Sequence, residues 1–245
     1  MEIIGYSERG AMNALFYGMA LKEDDEAMNK FIHLASIEND SRFSDFVIYS
    51  EFSLSDFGDP DMMITAKNKE GKDVLFFIEA KVSCGSYFDL SKQWERHKKD
   101  TSNLFFQLRL KKYFFERFKR GNLDETTNDG SETALEWLTR LAKRGKGSGE
   151  NLRYIGKNVV VNRIVNILKE AQIGTVYYIA IIPKQEPNIE IKNDEENDKE
   201  YKDIHFVTWE DIKNDGMLKD YVELTIDFNK DDKGKSQILN NPKHQ

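Results

Sequence analysis

The chain has 245 residues, a net charge of −7 at pH 7 and a single cysteine, Cys84, which excludes an internal disulfide. The length is sufficient for one elaborated domain with a substantial apolar core. No stretch is long and apolar enough to predict a membrane span, and residues 1–9 lack the basic start and apolar core of a signal peptide. We therefore expect a cytoplasmic protein in a reducing compartment, with no membrane partner.

Basic residues are concentrated in the middle of this acidic chain. Residues 92–120 contain ten Lys/Arg and three Asp/Glu, and residues 137–169 contain eight Lys/Arg and one acid. On charge alone these stretches are most simply solvated helix faces. They are also compatible with binding to the phosphates of a nucleic acid.

Apolar periodicity, capping residues and glycine breaks divide the chain into alternating helices and strands. In chain order the predictions are helices 7–21 and 24–36, strands 46–52, 61–66 and 74–82, helices 103–118, 131–143 and 158–172, strands 175–182 and 205–208, and helix 209–214. The polar, glycine-containing segment 67–72 predicts a hairpin turn. This order predicts an α/β fold with a mixed central sheet flanked by helices, in which the helical segment joins parallel strands.

Domain organisation follows from composition. We expect a single domain over residues 1–228, with a helical insertion at about 121–157. The acidic segment at about 184–202 has too few apolar residues to offset the entropy of ordering, which predicts a mobile loop. The polar residues 229–245 predict a disordered tail.

The residues that carry chemistry lie at the ends of two strands of the predicted hairpin. Pro60-Asp61 opens one strand, and Glu79-Ala80-Lys81 closes the next. Because side chains alternate along a strand, Glu79 and Lys81 share a face, and the hairpin brings Asp61 beside Glu79. Two adjacent carboxylates repel each other, and Mg²⁺, which prefers oxygen ligands, removes that penalty. The alternative is an ordinary ion pair at a strand edge.

The assignment of the aspartate has one alternative. Asp59, two residues before Asp61, could share its face and is an auxiliary candidate. We prefer Asp61, because it directly follows Pro60 and lies deeper in the strand. Lys81 is within reach of a metal-bound water or a phosphate oxygen.

Pro60-Asp61 followed by Glu79-Ala80-Lys81 after an apolar strand resembles the signature of the PD-(D/E)XK, restriction-endonuclease-like superfamily. The resemblance implies a core of helix, three-stranded meander, helix and strand, in which the Asp and Glu hold Mg²⁺ and the Lys assists the attacking water. It also implies a carboxylate from the first helix, which Glu8 matches. Glu8 is equally explained as an acid that complements the helix dipole.

The resemblance further implies a glutamine on the helix after the third strand. Gln107 is the better match and Gln93 the second choice.

Together these observations predict a Mg²⁺-dependent endodeoxyribonuclease, for which Mn²⁺ is a substitute metal. Its expected ligands are Asp61, Glu79, the carbonyl of Ala80 and Glu8, and Lys81 stabilises the charge that builds on the phosphate. DNA is the expected partner, held along its backbone by the basic stretches, and a homodimer is left open. Two alternatives remain: a nuclease that acts on RNA, and a catalytically silent nucleic-acid-binding or assembly module on the same fold.

Overall fold

The fold is seen in a computed structural model that describes residues 8–37, 42–50, 53–54, 57–82, 88–90, 93, 104–120, 159–183, 203–230, 234, 236 and 238–239. Its helices are α1 (Glu8–Leu21), α2 (Asp25–Leu34), α3 (Leu104–Arg120), α4 (Val159–Glu170), α5 (Trp209–Asn214) and α6 (Lys219–Phe228). Its strands are β1 (Ser44–Ser50), β2 (Met62–Lys67), β3 (Asp73–Ala80), β4 (Thr175–Ile182) and β5 (Ile204–Thr208). The predicted helix 131–143, insertion 121–157 and acidic loop 184–202 lie outside the described residues.

The five strands form one mixed sheet in the order β1-β2-β3-β4-β5. Strands β1, β2 and β3 pair antiparallel, whereas β4 pairs parallel with both β3 and β5. Helices α3 and α4 lie in the chain between β3 and β4, as a parallel crossover requires. The predicted α/β class with a mixed, helix-flanked sheet is confirmed.

Strand β3 runs through the centre of the core. Residues Val74 to Ala80 are all buried, because helices cover both faces of the sheet. On one face Phe76 and Ile78 pack in a cluster with side chains of α1, α2, α5 and α6. On the other face Leu75 and Phe77 pack in a cluster with side chains of α3 and α4.

The hairpin between β2 and β3 is set by its turn. The Asn68 side-chain oxygen accepts hydrogen bonds from the backbone N–H groups of Glu70 and Lys72, both at 3.0 Å, and Gly71 adopts a φ of 72°. A positive φ favours glycine, so the predicted turn forms where the glycine allows it. The resulting register pairs Met62 with Ile78. Continuing that register places Asp61 opposite Glu79.

Three details differ from the predictions. Strand β2 begins at Met62, so Asp61 directly precedes the strand instead of opening it. Helix α6 has no predicted counterpart. Ile238, in the segment predicted to be a disordered tail, is fully buried in the core cluster that includes α1 and α6. Within the described part of the chain, no helix has the length and apolar character needed to cross a membrane.

Candidate active site at the end of strand β3

The Asp61 carboxylate is fixed against the end of β3. Its Oδ2 accepts a hydrogen bond from the backbone N–H of Ala80 at 2.7 Å. The next N–H along the chain, that of Lys81, points the opposite way and donates to the carbonyl of Ile181 in β4 at 2.7 Å. Because β2 begins only at Met62, the side chain of Asp61 takes the place of a backbone acceptor for Ala80. A hydrogen bond to a charged acceptor holds this carboxylate in one orientation.

Glu79 is a fully buried carboxylate on the face of β3 that packs against α3. Its Oε1 lies 2.8 Å from the ammonium of Lys111, which is also fully buried. The distance is that of an ion pair, although the direction does not meet the geometry of a hydrogen bond. Burial raises the pKa of Glu79 to about 7. Lys111 and Lys81 oppose this shift, and the nearby negative charge of Asp61 adds to it.

Lys81 is held at its side chain and at its backbone. Its ammonium donates to Glu8 Oε2 at 3.2 Å and to the carbonyl of Ala80 at 2.7 Å. Its own carbonyl accepts a hydrogen bond from the indole N–H of Trp209, at the start of α5, at 3.0 Å. These contacts orient the ammonium, and the side chain as a whole is 15% exposed.

Glu8 is the first residue of α1 and reaches the same strand end. Burial raises its pKa, the charge of Lys81 lowers it, and the charge of Asp61 raises it further. Glu8 forms an ion pair with Lys81. This ion pair, 3.2 Å long, places the start of α1 at this strand end. The structure therefore brings Glu8 and Asp61 to the same strand end as the consecutive residues Glu79, Ala80 and Lys81.

The remaining predicted residues, Asp59, Gln93 and Gln107, have different surroundings. Asp59 is exposed, whereas Asp61 is the residue that contacts β3, so the preference for Asp61 agrees with the geometry. Gln93 Oε1 accepts the backbone N–H of Leu104 at 3.1 Å and so serves the start of α3. Gln107 lies within α3, one helical turn before Lys111, and its Oε1 is buried.

Lys111 is the residue that sequence reasoning missed. It falls at a position of the apolar face of α3, in register with Leu104, Leu108 and Phe115, all of which are buried. A lysine on the buried stripe of a helix was the available signal, because such a charge requires a buried partner.

Four buried polar atoms have no hydrogen-bond partner within the described part of the chain: Glu79 Oε1, Glu79 Oε2, Gln107 Oε1 and Lys111 Nζ. We refer to these atoms as the polar cluster. Buried polar atoms of this kind usually mark a water, an ion or a functional role. Two of them belong to Glu79, which lies opposite Asp61 in the continued register, so the end of β3 is the principal candidate for a functional site.

A divalent cation fits this arrangement. The described residues contain no group of three or more His, Cys, Asp or Glu side chains arranged as a metal cluster. Mg²⁺, however, commonly binds through one or two carboxylates and several waters. Glu79 offers two oxygens of the polar cluster, and Asp61 offers the oxygen that Ala80 leaves free. The Ala80 carbonyl follows Glu79 directly in the chain and accepts a hydrogen bond from the Lys81 ammonium.

Comparisons with protein-family models, curated proteins and solved structures give no match. Any functional assignment therefore depends on the residues and geometry of the chain itself.

Proposed function

We propose that this chain is a divalent-metal-dependent nuclease with a restriction-endonuclease-like core, which hydrolyses phosphodiester bonds in DNA. The main support for this proposal is the arrangement of charged side chains at the end of β3. There the buried Glu79 carboxylate, part of the polar cluster, lies beside the oriented carboxylate of Asp61 and close to the ammonium of Lys81. A buried acid at a strand end is costly unless it is paired or bound to a metal.

The order of elements supports the same proposal. Helix α1 precedes a meander of three antiparallel strands, and helix α3 and the parallel strand β4 follow it. This is the order that the resemblance to the PD-(D/E)XK superfamily implies. Fold order alone does not define an activity, so the site residues remain the stronger support.

Each residue has a distinct role in the proposed reaction. Asp61, Glu79 and the carbonyl of Ala80 would hold Mg²⁺ or Mn²⁺. The metal supplies a Lewis acid for a phosphate oxygen and makes a bound water more acidic. Lys81 stabilises the negative charge that builds on the phosphate during attack by water. Glu8 and the Ala80 carbonyl orient the Lys81 ammonium, which limits the reorganisation needed at the moment of reaction.

Charge is the support for a nucleic-acid substrate. The basic stretches 92–120 and 137–169 would hold the DNA backbone. The aromatic residues of α3 have a different role, because Phe105, Phe106, Phe114 and Phe115 are buried in the core. Base stacking on these rings is therefore not part of the proposal.

A second candidate, a catalytically silent nucleic-acid-binding module, is favoured by one observation. Each of the three carboxylates already has an internal partner: Asp61 has the Ala80 N–H, Glu79 has Lys111, and Glu8 has Lys81. A cluster that neutralises itself in this way could be purely structural.

A cleavage assay separates the candidates. Purified full-length protein is incubated with supercoiled plasmid, linear duplex, single-stranded DNA and RNA, each with Mg²⁺, Mn²⁺ or EDTA. The proposal expects plasmid nicking that requires the metal and disappears in Glu79→Gln prepared in parallel, which controls for contaminating nucleases. Binding to DNA without cleavage under any metal condition would establish the silent module. Preferential loss of RNA would redirect the proposal to an RNA substrate.

A further inference from the structure

Lys111 and Glu79 form a charged pair sealed between α3 and β3. Both side chains are fully buried, and the ammonium lies 2.8 Å from Oε1. A buried ammonium and a buried carboxylate are each costly when unpaired, so in the metal-free chain each member of this pair stabilises the other. The pair is therefore a fixed feature of the metal-free site.

The loop before Asp61 also lies close to the ammonium of Lys111. Gly58 adopts a φ of 73°, and a Cβ at this position would lie 3.2 Å from Lys111 Nζ. A side chain here would press on the ammonium, and glycine is also the residue that tolerates the positive φ. The loop that delivers Asp61 to the site thus also confines Lys111 beside Glu79.

Gln107 is a second polar residue on the same helix with a buried acceptor that lacks a partner among the described residues. Its Oε1 belongs to the polar cluster and lies one helical turn from Lys111, on the same face of α3. An amide oxygen is an acceptor for an ammonium group. Side chains four residues apart on a helix are neighbours, so a change of the Lys111 rotamer is the movement that an exchange of Glu79 for Gln107 requires.

We propose that Lys111 is an internal competitor of the metal: it neutralises Glu79 in the metal-free chain and moves to Gln107 when a divalent cation binds. This inference depends on the proposed metal site. Its physical basis is that one carboxylate in a poorly solvated site does not stabilise an ammonium at 2.8 Å and a divalent cation together, because the two cations repel each other strongly there. The competition raises the concentration of divalent cation that is needed to occupy the site.

Calorimetric titration of Mn²⁺ into the full-length protein tests the competition without recourse to activity. In Lys111→Met the competitor is absent, so Mn²⁺ should bind tenfold or more tightly than to the wild type, on the order expected for removal of one nearby charge. Lys112→Met is the matched control. Its ammonium contacts Asp203 at the surface, and its removal should leave the affinity for Mn²⁺ unchanged.

Gln107→Leu tests the second half of the inference. With Lys111 present, loss of the receiving oxygen should weaken Mn²⁺ binding severalfold. In the Lys111→Met background the same change should have no effect, because no ammonium needs to be received. A double-mutant cycle over these four proteins measures this coupling directly.

The outcomes distinguish this inference from the proposed function. If Glu79→Gln abolishes Mn²⁺ binding but Lys111→Met leaves it unchanged or weaker, the metal site stands and the competition is overturned. If neither the wild type nor Lys111→Met binds Mn²⁺, the proposed function itself fails. If Lys111→Met folds only when Mn²⁺ is present, the metal has replaced the ammonium, as the inference requires. If it does not fold even then, Lys111 is a structural counter-ion and the inference is wrong.

Discussion

At the scale of single residues, substitutions of Asp61 and Lys81 should have different effects on metal binding and cleavage. Asp61→Asn replaces a charged oxygen ligand with a neutral amide, so Mn²⁺ binding and cleavage should both be lost. Lys81→Ala should retain Mn²⁺ binding, or tighten it, because a nearby positive charge is removed. Its turnover should nevertheless fall by about two to four orders of magnitude, the usual scale for loss of one positioned catalytic group. Calorimetry and plasmid nicking on the same preparations measure both effects.

A loss of stability in both variants, without a change in metal affinity, would have a different explanation. If both substitutions lower the free energy of unfolding by similar amounts and neither changes a measurable metal affinity, the cluster is structural. Chemical unfolding in urea with EDTA provides that comparison, since it measures the fold without the metal.

Part of this site could be predicted from the sequence because it depends on local geometry. Alternation along β3 and the length of the turn at Asn68 to Gly71 are enough to bring Asp61 to Glu79. The prediction that Glu8 approaches this strand end depended on the family resemblance. Lys111 could not be placed, because its meeting with Glu79 depends on how α3 rotates about its axis when it packs on the sheet. That rotation is decided by the whole apolar cluster, and no short-range pattern records it.

At the scale of elements, Trp209 connects the start of α5 to the strand end that carries the site. Its indole N–H donates to the carbonyl of Lys81 at 3.0 Å, and the side chain is fully buried. Trp209→Phe should lower the free energy of unfolding by about 1–2 kcal/mol, since a buried carbonyl loses its donor and the smaller ring leaves space. It should also reduce turnover at least about tenfold, because small displacements of catalytic groups have effects of this order or larger.

Tyr221→Phe is the matched control for that prediction. It removes the hydrogen bond from the Tyr221 hydroxyl to Asp24 Oδ2, 2.5 Å long, which joins α6 to the start of α2. This contact joins two helices and involves no residue of the candidate site. The variant should lose no more than about 1 kcal/mol of stability and retain full cleavage. Equal losses of cleavage in both variants would show that Trp209 acts through global stability alone.

A histidine in β5 gives the fold a dependence on pH. His205 Nδ1 lies 3.1 Å from the carbonyl of Ala35, which requires Nδ1 to carry the proton. Burial lowers the pKa of His205, and the Ala35 carbonyl and Asp203 oppose that shift. Because the folded-state pKa lies below the ordinary value of 6.5, the contribution of neutral His205 is complete above that value. It is lost as the pH falls through the folded-state pKa.

Urea unfolding between pH 7.5 and pH 5.5 tests this dependence. His205→Gln should remove part of the loss of stability seen in the wild type at low pH, by less than about 1 kcal/mol for a partly exposed group. His33→Gln changes an exposed histidine at the end of α2 and should follow the wild-type curve. A steeper loss in His205→Gln than in the wild type would contradict the assignment.

Most element boundaries were predicted within two residues, because capping and apolar periodicity are local. Strand β4 and helix α5 match the prediction, whereas the N-terminal limit of β2 does not, since Pro60 and the side chain of Asp61 end the ladder early. Helix α6 was missed. Its buried residues, Val222, Thr225 and Ile226, follow a helical spacing that includes a polar threonine, which weakens the apolar signal.

At the scale of the whole molecule, the segment after α6 contributes to the core. Lys230 pairs with Ser236 as an antiparallel bridge, which returns the chain to the body, and Ile238 is fully buried there. Ile238→Ala should therefore lower the free energy of unfolding by about 2–4 kcal/mol, the usual cost of emptying a buried isoleucine site. Leu239→Ala, at a partly buried neighbour, should cost clearly less. Equal and negligible effects would instead support the prediction of a disordered tail.

The pairing of β3 with β4 also determines when the site can form. Glu79 lies opposite Ala180, roughly a hundred residues later in the chain, and α3, which carries Lys111, lies between them. During synthesis on a ribosome, the carboxylates emerge long before the strand and helix that enclose them. Contacts between such distant segments form late, after the entropy of closing a long loop has been overcome. A growing chain should thus carry every proposed catalytic residue without activity, and gain the capacity to cut only when β4 docks.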